Sequence, residues 1–346
     1  MQRRYFWLLA IVVLVCAGWT GAWFYGANFA GKAADQWMAR EAERGRIWTC
    51  ANRDIGGFPF RFALRCSAAT FRTQGRTGPV DVTLGPVRAI VQVYSPKLVL
   101  AEADGPAIVK TAGNLRQIDA NWENLRASVR LARPLSERIS LQIGKLKAQV
   151  SLAGRGPEAL AAETLEFHMR PAPDVTVDIG AIDVAITVSN AVSQLADNLS
   201  RVKGPANASV AARITRAPVL FLTPAPLPQR LEAWRQAQGT LTLQRSTISK
   251  GAVEVEASGA LQIDEGHFLA GNINARAAGL GAILQQFGLP GGNIGGGLLG
   301  GLLGSRRGNG DDAPQRKVAV PLPLTLRDGA VWLGPIRTKA RLQPLY

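Results

Sequence analysis

The sequence predicts a mainly β protein with a few helices, an α+β chain in which one N-terminal transmembrane helix precedes a long, curved, mostly antiparallel β-sheet. Three observations carry this. Residues 5–25 hold no charged side chain. Much of the chain beyond residue 60 alternates apolar and polar positions, the period of a half-buried strand. The helical spacing of three to four appears only in short stretches.

The apolar start comes first. About 20 apolar residues span a hydrocarbon core of about 30 Å, so residues 1–30 are read as an anchor crossing through residues 5–30. Arg3 and Arg4 precede the span, and basic residues stay cytoplasmic, which places the C-terminal side outside. Trp19, Trp23 and Tyr25 cluster toward the outer interface as an aromatic belt would. A cleaved signal peptide is the competing reading; its apolar core is usually about 7–15 residues and ends in small residues, whereas here the run is longer and Ala27-Asn28-Phe29-Ala30 is a poor cleavage site.

Residues 31–48 are rich in Ala, Glu and Arg and read as a helical stalk, stopped near Gly45. From residue 49 to 222 a β-rich extracytoplasmic domain is expected. It opens on Cys50 to Cys66, where Gly56-Gly57-Phe58-Pro59 is turn chemistry and Phe60, Phe62 and Leu64 alternate with Arg61, Ala63 and Arg65. The reading is a hairpin or strand corner. Cys50 and Cys66 are the only cysteines beyond the anchor, and an oxidising compartment makes a disulfide their default.

Alternation then recurs at Val80–Leu84, Val87–Val93, Leu98–Leu100, Leu125–Leu131, Ile139–Ile143, Leu146–Leu152, Leu165–Met169 and Val175–Ile179. Short intervening turns make a meander the economical topology. Val192, Leu195, Leu199 and Val202 fall three or four apart and predict a helix over 189–203. Thr223 to Pro228 reads as a Pro-rich linker, after which Pro228 opens a helix through Gln238. Residues 223–346 form a second β-rich part that continues the same sheet. It contains a short helix over 280–287 and a Gly-rich loop, 291–304, whose Leu298, Leu299, Leu302 and Leu303 are a hypothetical contact with membrane or partner.

The formal charge is +15, and Arg3 and Arg4 supply two of these charges. Nucleic acid is the blunt reading of such a balance, but outside a membrane the partners become anionic lipids or other envelope polyanions. A scattered, solubilising surface competes, since no Lys/Arg run exceeds two residues. No catalytic constellation emerges. His168 and His267 are the only histidines, each on a strand pattern beside a Phe, and no Gly-x-Ser-x-Gly elbow appears. No metal, cofactor or enzymatic role is expected.

The basic start and single anchor, the cysteine segment around Gly57-Phe58-Pro59-Phe60, the Tyr94-Ser95-Pro96 break and the terminal Asp328-Gly329-x-Val331-x-Leu333-Gly334-Pro335 resemble an uncharacterised proteobacterial membrane-anchored family, domain of unknown function 2125. The strand-Gly-strand segment Ala257 to Asp264 is also similar to AsmA-type envelope proteins, which are inner-membrane-anchored, β-rich and linked to lipid movement. The expectation is a single-pass bacterial inner-membrane protein with a periplasmic body, binding a lipid or another hydrophobic ligand in an apolar groove in support of envelope maintenance. The alternative is a scaffold acting through other envelope proteins.

Overall fold

The computed structural model describes residues 2–75, 78–111, 115–132, 137–154, 156–173, 180–223, 225–279 and 320–346. The expected helix over 280–287, the Gly-rich loop 291–304 with Leu298, Leu299, Leu302 and Leu303, and the alternating run at 175–179 lie outside the described residues. The chain divides into two compact units, residues 1–159 and 160–346.

The first unit opens with α1 (Gln2–Glu43), one unbroken helix of 42 residues. No proline interrupts it, and Gly45 at φ 73° lets the chain leave it in the left-handed region that a Cβ disfavours. The expected boundary between anchor and stalk at residue 30 is therefore not a structural one, and the stalk ends five residues early because β1 has already begun at Arg46.

Eleven strands follow, all antiparallel: β1 (Arg46–Ala51), β2 (Asp54–Gly56), β3 (Arg61–Cys66), β4 (Ala68–Gly75), β5 (Gly78–Leu84), β6 (Val87–Gln92), β7 (Ser95–Ala103), β8 (Ala107–Thr111), β9 (Leu115–Asn121), β10 (Asn124–Arg130) and β11 (Arg138–Leu152). Their pairing shows a simpler plan. β4 pairs β1 and β5, while β3, the preceding segment, pairs β2 and β6. β7 and β8 in turn lie against β6 and β5 on one side and against β10 and β9 on the other. β11 alone spans both β10 and β9. Each pair β1–β2, β3–β4, β5–β6, β7–β8 and β9–β10 is thus one long strand interrupted once, and the unit is a meander of six long strands.

The interruptions fall at one level and form a transverse seam. It runs through Asn52-Arg53, Ser67, Gly85-Pro86, Asp104-Gly105-Pro106 and Trp122-Glu123, and meets β11 at Lys145, whose φ is 51°. Backbone hydrogen bonds continue across it, from Ser67 N to Ala51 O (2.9 Å), Gly85 N to Pro106 O (3.0 Å) and Glu123 N to Gly144 O (3.0 Å). The sheet residues buried nearest the seam are small: Cys66, Ala69, Ala103, Ala107 and Ala148.

The second unit is a plain meander. β12 (Pro157–Pro171), β13 (Ile182–Ser193), β14 (Ala206–Ile214), β15 (Leu241–Lys250), β16 (Val253–Ile263), β17 (Leu269–Ala278), β18 (Val320–Arg327), β19 (Ala330–Leu333) and β20 (Ile336–Arg341) each pair with the next. The helix expected over 189–203 is shorter. β13 runs through Val192, and Ser193 in extended backbone caps α2 (Gln194–Ser200) by accepting from Ala196 N. The expected Pro-rich linker joins two helices, α3 (Ala217–Leu222) and α4 (Leu227–Gln236).

Trp234 of α4 fixes that helical hairpin. It is buried, and its indole Nε1–H donates to Thr215 O at 2.7 Å. Gly239 lies flat against the ring, where a Cβ would approach Trp234 Cε2 to 2.1 Å. A buried ring cannot yield that distance without moving α4. Gly239→Ala is expected to destabilise the chain by about 1–3 kcal/mol, measured as a lower urea midpoint of the detergent-solubilised protein; an unchanged midpoint would show that the ring is free to shift.

Candidate functional site

The candidate site is the apolar face of the first unit's sheet together with the helix clamped to its edge. The clamp begins with aromatic side chains that the sequence reading places in an interfacial belt. Trp23 is buried, stacks on Phe62 (centroids 5.7 Å, planes 23° apart) and meets Phe58 edge-on. Its Nε1–H donates to Arg61 O, and Trp19 Nε1–H donates to Pro59 O, both at 3.1 Å. Trp23, expected in the aromatic belt, thus packs against the protein at the turn between β2 and β3, where Pro59 and Arg61 present carbonyls to the two indoles. Gly26 makes room for Phe62, whose Cζ would lie 2.7 Å from any Cβ there.

The clamp continues along the helix. Arg53 pairs with Asp35, Trp37 packs on Trp48 (5.7 Å), and Trp48 packs on Phe71 (4.4 Å). Glu41, buried, accepts from Arg46 at 2.7 Å and from Arg44 at 3.3 Å. The Arg46 hydrogen bond holds the Glu41 carboxyl below the usual carboxylate range against the opposing effect of burial, and Arg53 does the same for Asp35. Cys50 and Cys66 form a disulfide that ties β1 to β3 beside the seam. Closing a loop of this size contributes about 3 kcal/mol, mainly through the unfolded state.

The face itself follows from register, since directly paired residues point the same way. Beyond the seam, one row runs Trp48, Phe71, Val82, Val109, Ile118, Val150. On the near side another runs Phe62, Val91, Val99, Val129, Ile139, with Leu64, Ala89, Ala101, Ala127 and Leu141 beside it. One helix touches Phe62 in one half and, through Trp37, Trp48 in the other, so both rows lie on the same side. All of the large residues in these rows are half-buried, unlike the small residues at the seam. Among the described residues α1 is the only helix of this unit.

The opposite face is more polar and carries several ion pairs, although Ala63, Ile90 and Leu100 form an apolar row on it and Arg65 lies directly opposite Arg88. Glu102 lies between Arg88 and Arg126 (3.7 and 3.9 Å), Arg72 pairs with Asp81, and Arg65 with Asp54. A cleft of about 310 Å³ opens there on the seam, lined by Asn52, Arg65, Ser67, Pro86, Arg88 and Glu102.

Of the remaining residues singled out in the sequence, His168 is exposed on β12 with Glu166 at 3.6 Å. His267, in the β16–β17 turn, stacks on Tyr346 (4.4 Å) and lies 3.8 Å from Glu232 of α4. Among the described residues no three His, Cys, Asp or Glu side chains gather as a metal site. The Glu232 cluster is electrostatically distinct. Hydrogen bonds from Arg235 and Tyr346 hold its carboxyl down at about 2, and desolvation together with Glu232 pushes the Tyr346 hydroxyl up to about 12.

Comparison with known families adds one match. The family described as an uncharacterized protein conserved in bacteria (DUF2125) matches residues 23–340. The chain belongs to this family. No curated protein and no solved structure matches the chain. The family match begins at Trp23 and takes in the clamp apart from Trp19, the seam and most of both units.

Two measurements follow from these contacts. Trp23→Ala should cost about 3–5 kcal/mol, seen as a lower urea midpoint, whereas Leu14→Ala on the exposed part of α1 (73% exposed) should change it by less than about 0.5 kcal/mol. For the Tyr346–Glu232 contact, a depressed carboxyl stabilises above its ordinary 4.5 and loses that contribution as pH falls toward about 2. A raised phenol stabilises below its ordinary 10.0 and loses it as pH climbs through about 12. Ultraviolet titration of the four tyrosines should show one late ionisation near pH 12 that Tyr346→Phe removes.

Proposed function

We propose that α1 crosses a bacterial inner membrane with Arg3 and Arg4 in the cytoplasm, and that the periplasmic sheet of the first unit holds a lipid acyl chain or a similar hydrophobic ligand against its apolar face in support of the envelope. The helix is long and apolar enough to cross a membrane, and the positive-inside rule gives the direction. The observation that carries the ligand reading is the pair of continuous apolar rows whose large side chains stay half-buried. A closed sheet core would bury them, since native interiors pack to crystal density. Each methylene laid on such a wall is worth about 0.8 kcal/mol, so a long acyl chain supplies ample affinity without a polar anchor. The role is one of binding, with no chemical step.

Native mass spectrometry of the protein extracted from its own membrane, with lipid analysis of what co-purifies, tests this. A stoichiometric phospholipid is expected, and Val129→Asp and Leu141→Asp, which place charge in adjacent rows of the wall, should each abolish it. A bare protein mass in the unsubstituted chain would overturn the reading and favour a scaffold with protein partners.

A further inference from the structure

The two indoles of the clamp fix more than the edge of the sheet. The stretch from Tyr5 to Gly31 is uncharged and, at about 1.5 Å per residue, is about 40 Å long. A bilayer is about 30 Å thick in its hydrocarbon core and about 40–45 Å with headgroups. The core takes about 20 of these residues, so with Arg4 held at the inner headgroups it ends near residue 24 once α1 spans it; Trp23 then lies at its outer edge and Trp19 about one turn deeper. The Phe58–Phe60 turn is hydrogen-bonded to those indoles, so it shares their depth.

The side chains of that turn fit such a place. Phe58 and Phe60 are 52% and 61% exposed. The β6–β7 turn lies beside them, with Val93 N donating to Phe60 O at 3.0 Å, and carries Tyr94 at 76% exposure. The end of β10 is the next step along, where Leu131 N donates to Lys97 O at 2.8 Å and Leu131 is 48% exposed. Exposed aromatic residues gathered at one end of a sheet are costly in water and favoured at a membrane interface.

The charge at this end has one dominant sign. Arg61 and Lys97 flank the two aromatic turns, and Arg130 is paired directly with Arg138 across β10 and β11. Like charges directly opposed on a sheet are destabilising, a cost that anionic headgroups remove. Glu137 is the acidic residue among them.

We infer that this turn end of the sheet, led by Phe58, Phe60 and Tyr94, is seated in the headgroup region of an anionic phospholipid leaflet beside α1. The inference rests on α1 spanning the membrane and goes beyond the ligand reading. It makes the sheet a second membrane contact and brings the lower apolar row, which begins at Phe62, to the leaflet.

Site-directed nitroxide labelling of the full chain tests it, in a Cys16→Ala background, reconstituted alone into phosphatidylethanolamine–phosphatidylglycerol liposomes. Labels at Phe60→Cys and Tyr94→Cys should collide more with oxygen than with a water-soluble nickel chelate, as a label at Val12→Cys in the span should. A label at Thr83→Cys, exposed on β5, should show the reverse. Neutral phosphatidylcholine liposomes should shift the labels at residues 60 and 94 toward the chelate and leave the one at 12 unchanged. Chelate-dominated labels at 60 and 94 beside an oxygen-dominated label at 12 would overturn this inference alone and leave the spanning helix standing. A chelate-dominated label at 12 would overturn the spanning helix and this inference with it. Identical results in the two lipids would overturn the anionic headgroup contact. Because Phe60 and Tyr94 are exposed, labelling them leaves the Trp23 packing intact.

Discussion

The docking of Trp23 between Phe58 and Phe62 is the contact on which the first unit depends. A membrane helix is apolar all round, and lipid tails are as apolar as its own side chains, so hydropathy gives it no reason to prefer a protein surface. Direction has to come from geometry. Here two indole N–H groups find the backbone carbonyls of Pro59 and Arg61 at 3.1 Å, where the β2–β3 turn runs into β3. Aromatic stacking then aligns the ring, and Gly26 clears the space beside it. About three and five turns beyond Trp23, the Asp35–Arg53 and Glu41–Arg46 pairs hold the polar end of the same helix. An exposed pair such as Asp35–Arg53 is individually worth little, but together with the buried Glu41 carboxylate it fixes the direction of one rigid rod. The helix is therefore a strut built into the sheet.

The seam answers a different constraint. Long antiparallel strands twist, and a wide sheet of uninterrupted ones accumulates that twist until its faces no longer pack. Interrupting five of the six long strands at the same level, and kinking β11 there at Lys145, relieves it once across the sheet. The price in hydrogen bonds is small because the ladder resumes at once, and small residues at the seam let the two halves approach. The disulfide sits beside the seam, where the ladder between β1 and β3 is absent. What results is a sheet whose bulky apolar residues lie away from its best-buried line, which leaves them half-exposed and free to meet a ligand.

Much of this was legible in the sequence, and the omissions have physical causes. Alternation is a local property, so Val80–Leu84 and Val87–Val93 were visible as strand segments. Their relation was not. Gly85-Pro86 and Gly105-Pro106 carry the chemistry of a chain reversal, and the chain instead goes straight on, because the pairing that decides it comes from neighbours roughly 20 residues away. Trp23 was read only as part of an interfacial belt, since an aromatic side chain looks the same in sequence whether its partner is a headgroup or Phe62. In the second unit, the spacing of Val192, Leu195, Leu199 and Val202 spread a helical signal over a strand end and a coil. Ser193, an N-cap type, marked the true start. The α3 helix had its signal too, in Pro218 at the first turn ahead of an apolar run, but the following prolines read more strongly as a linker.

On the proposed reading, strut, seam and turn end would bear on one problem, moving an acyl chain between a leaflet and a protein wall. Drawn into water, each methylene costs about 0.8 kcal/mol, so a chain of ordinary length is held in the bilayer by more than any single contact can offset. A continuous apolar path removes most of that barrier by never exposing the chain. The near row, Phe62 to Ile139, lies next to the turn end, and the far row, Trp48 to Val150, continues the same face across a line of alanines. With the strut holding the turn end beside Trp19 and Trp23, the lowest apolar residues would meet the leaflet directly if α1 spans it as proposed. A flexible stalk would hold the sheet at no fixed depth and leave a layer of water between wall and membrane. The rigid clamp at Trp23 is thus the feature that would let an open apolar sheet face work beside a bilayer.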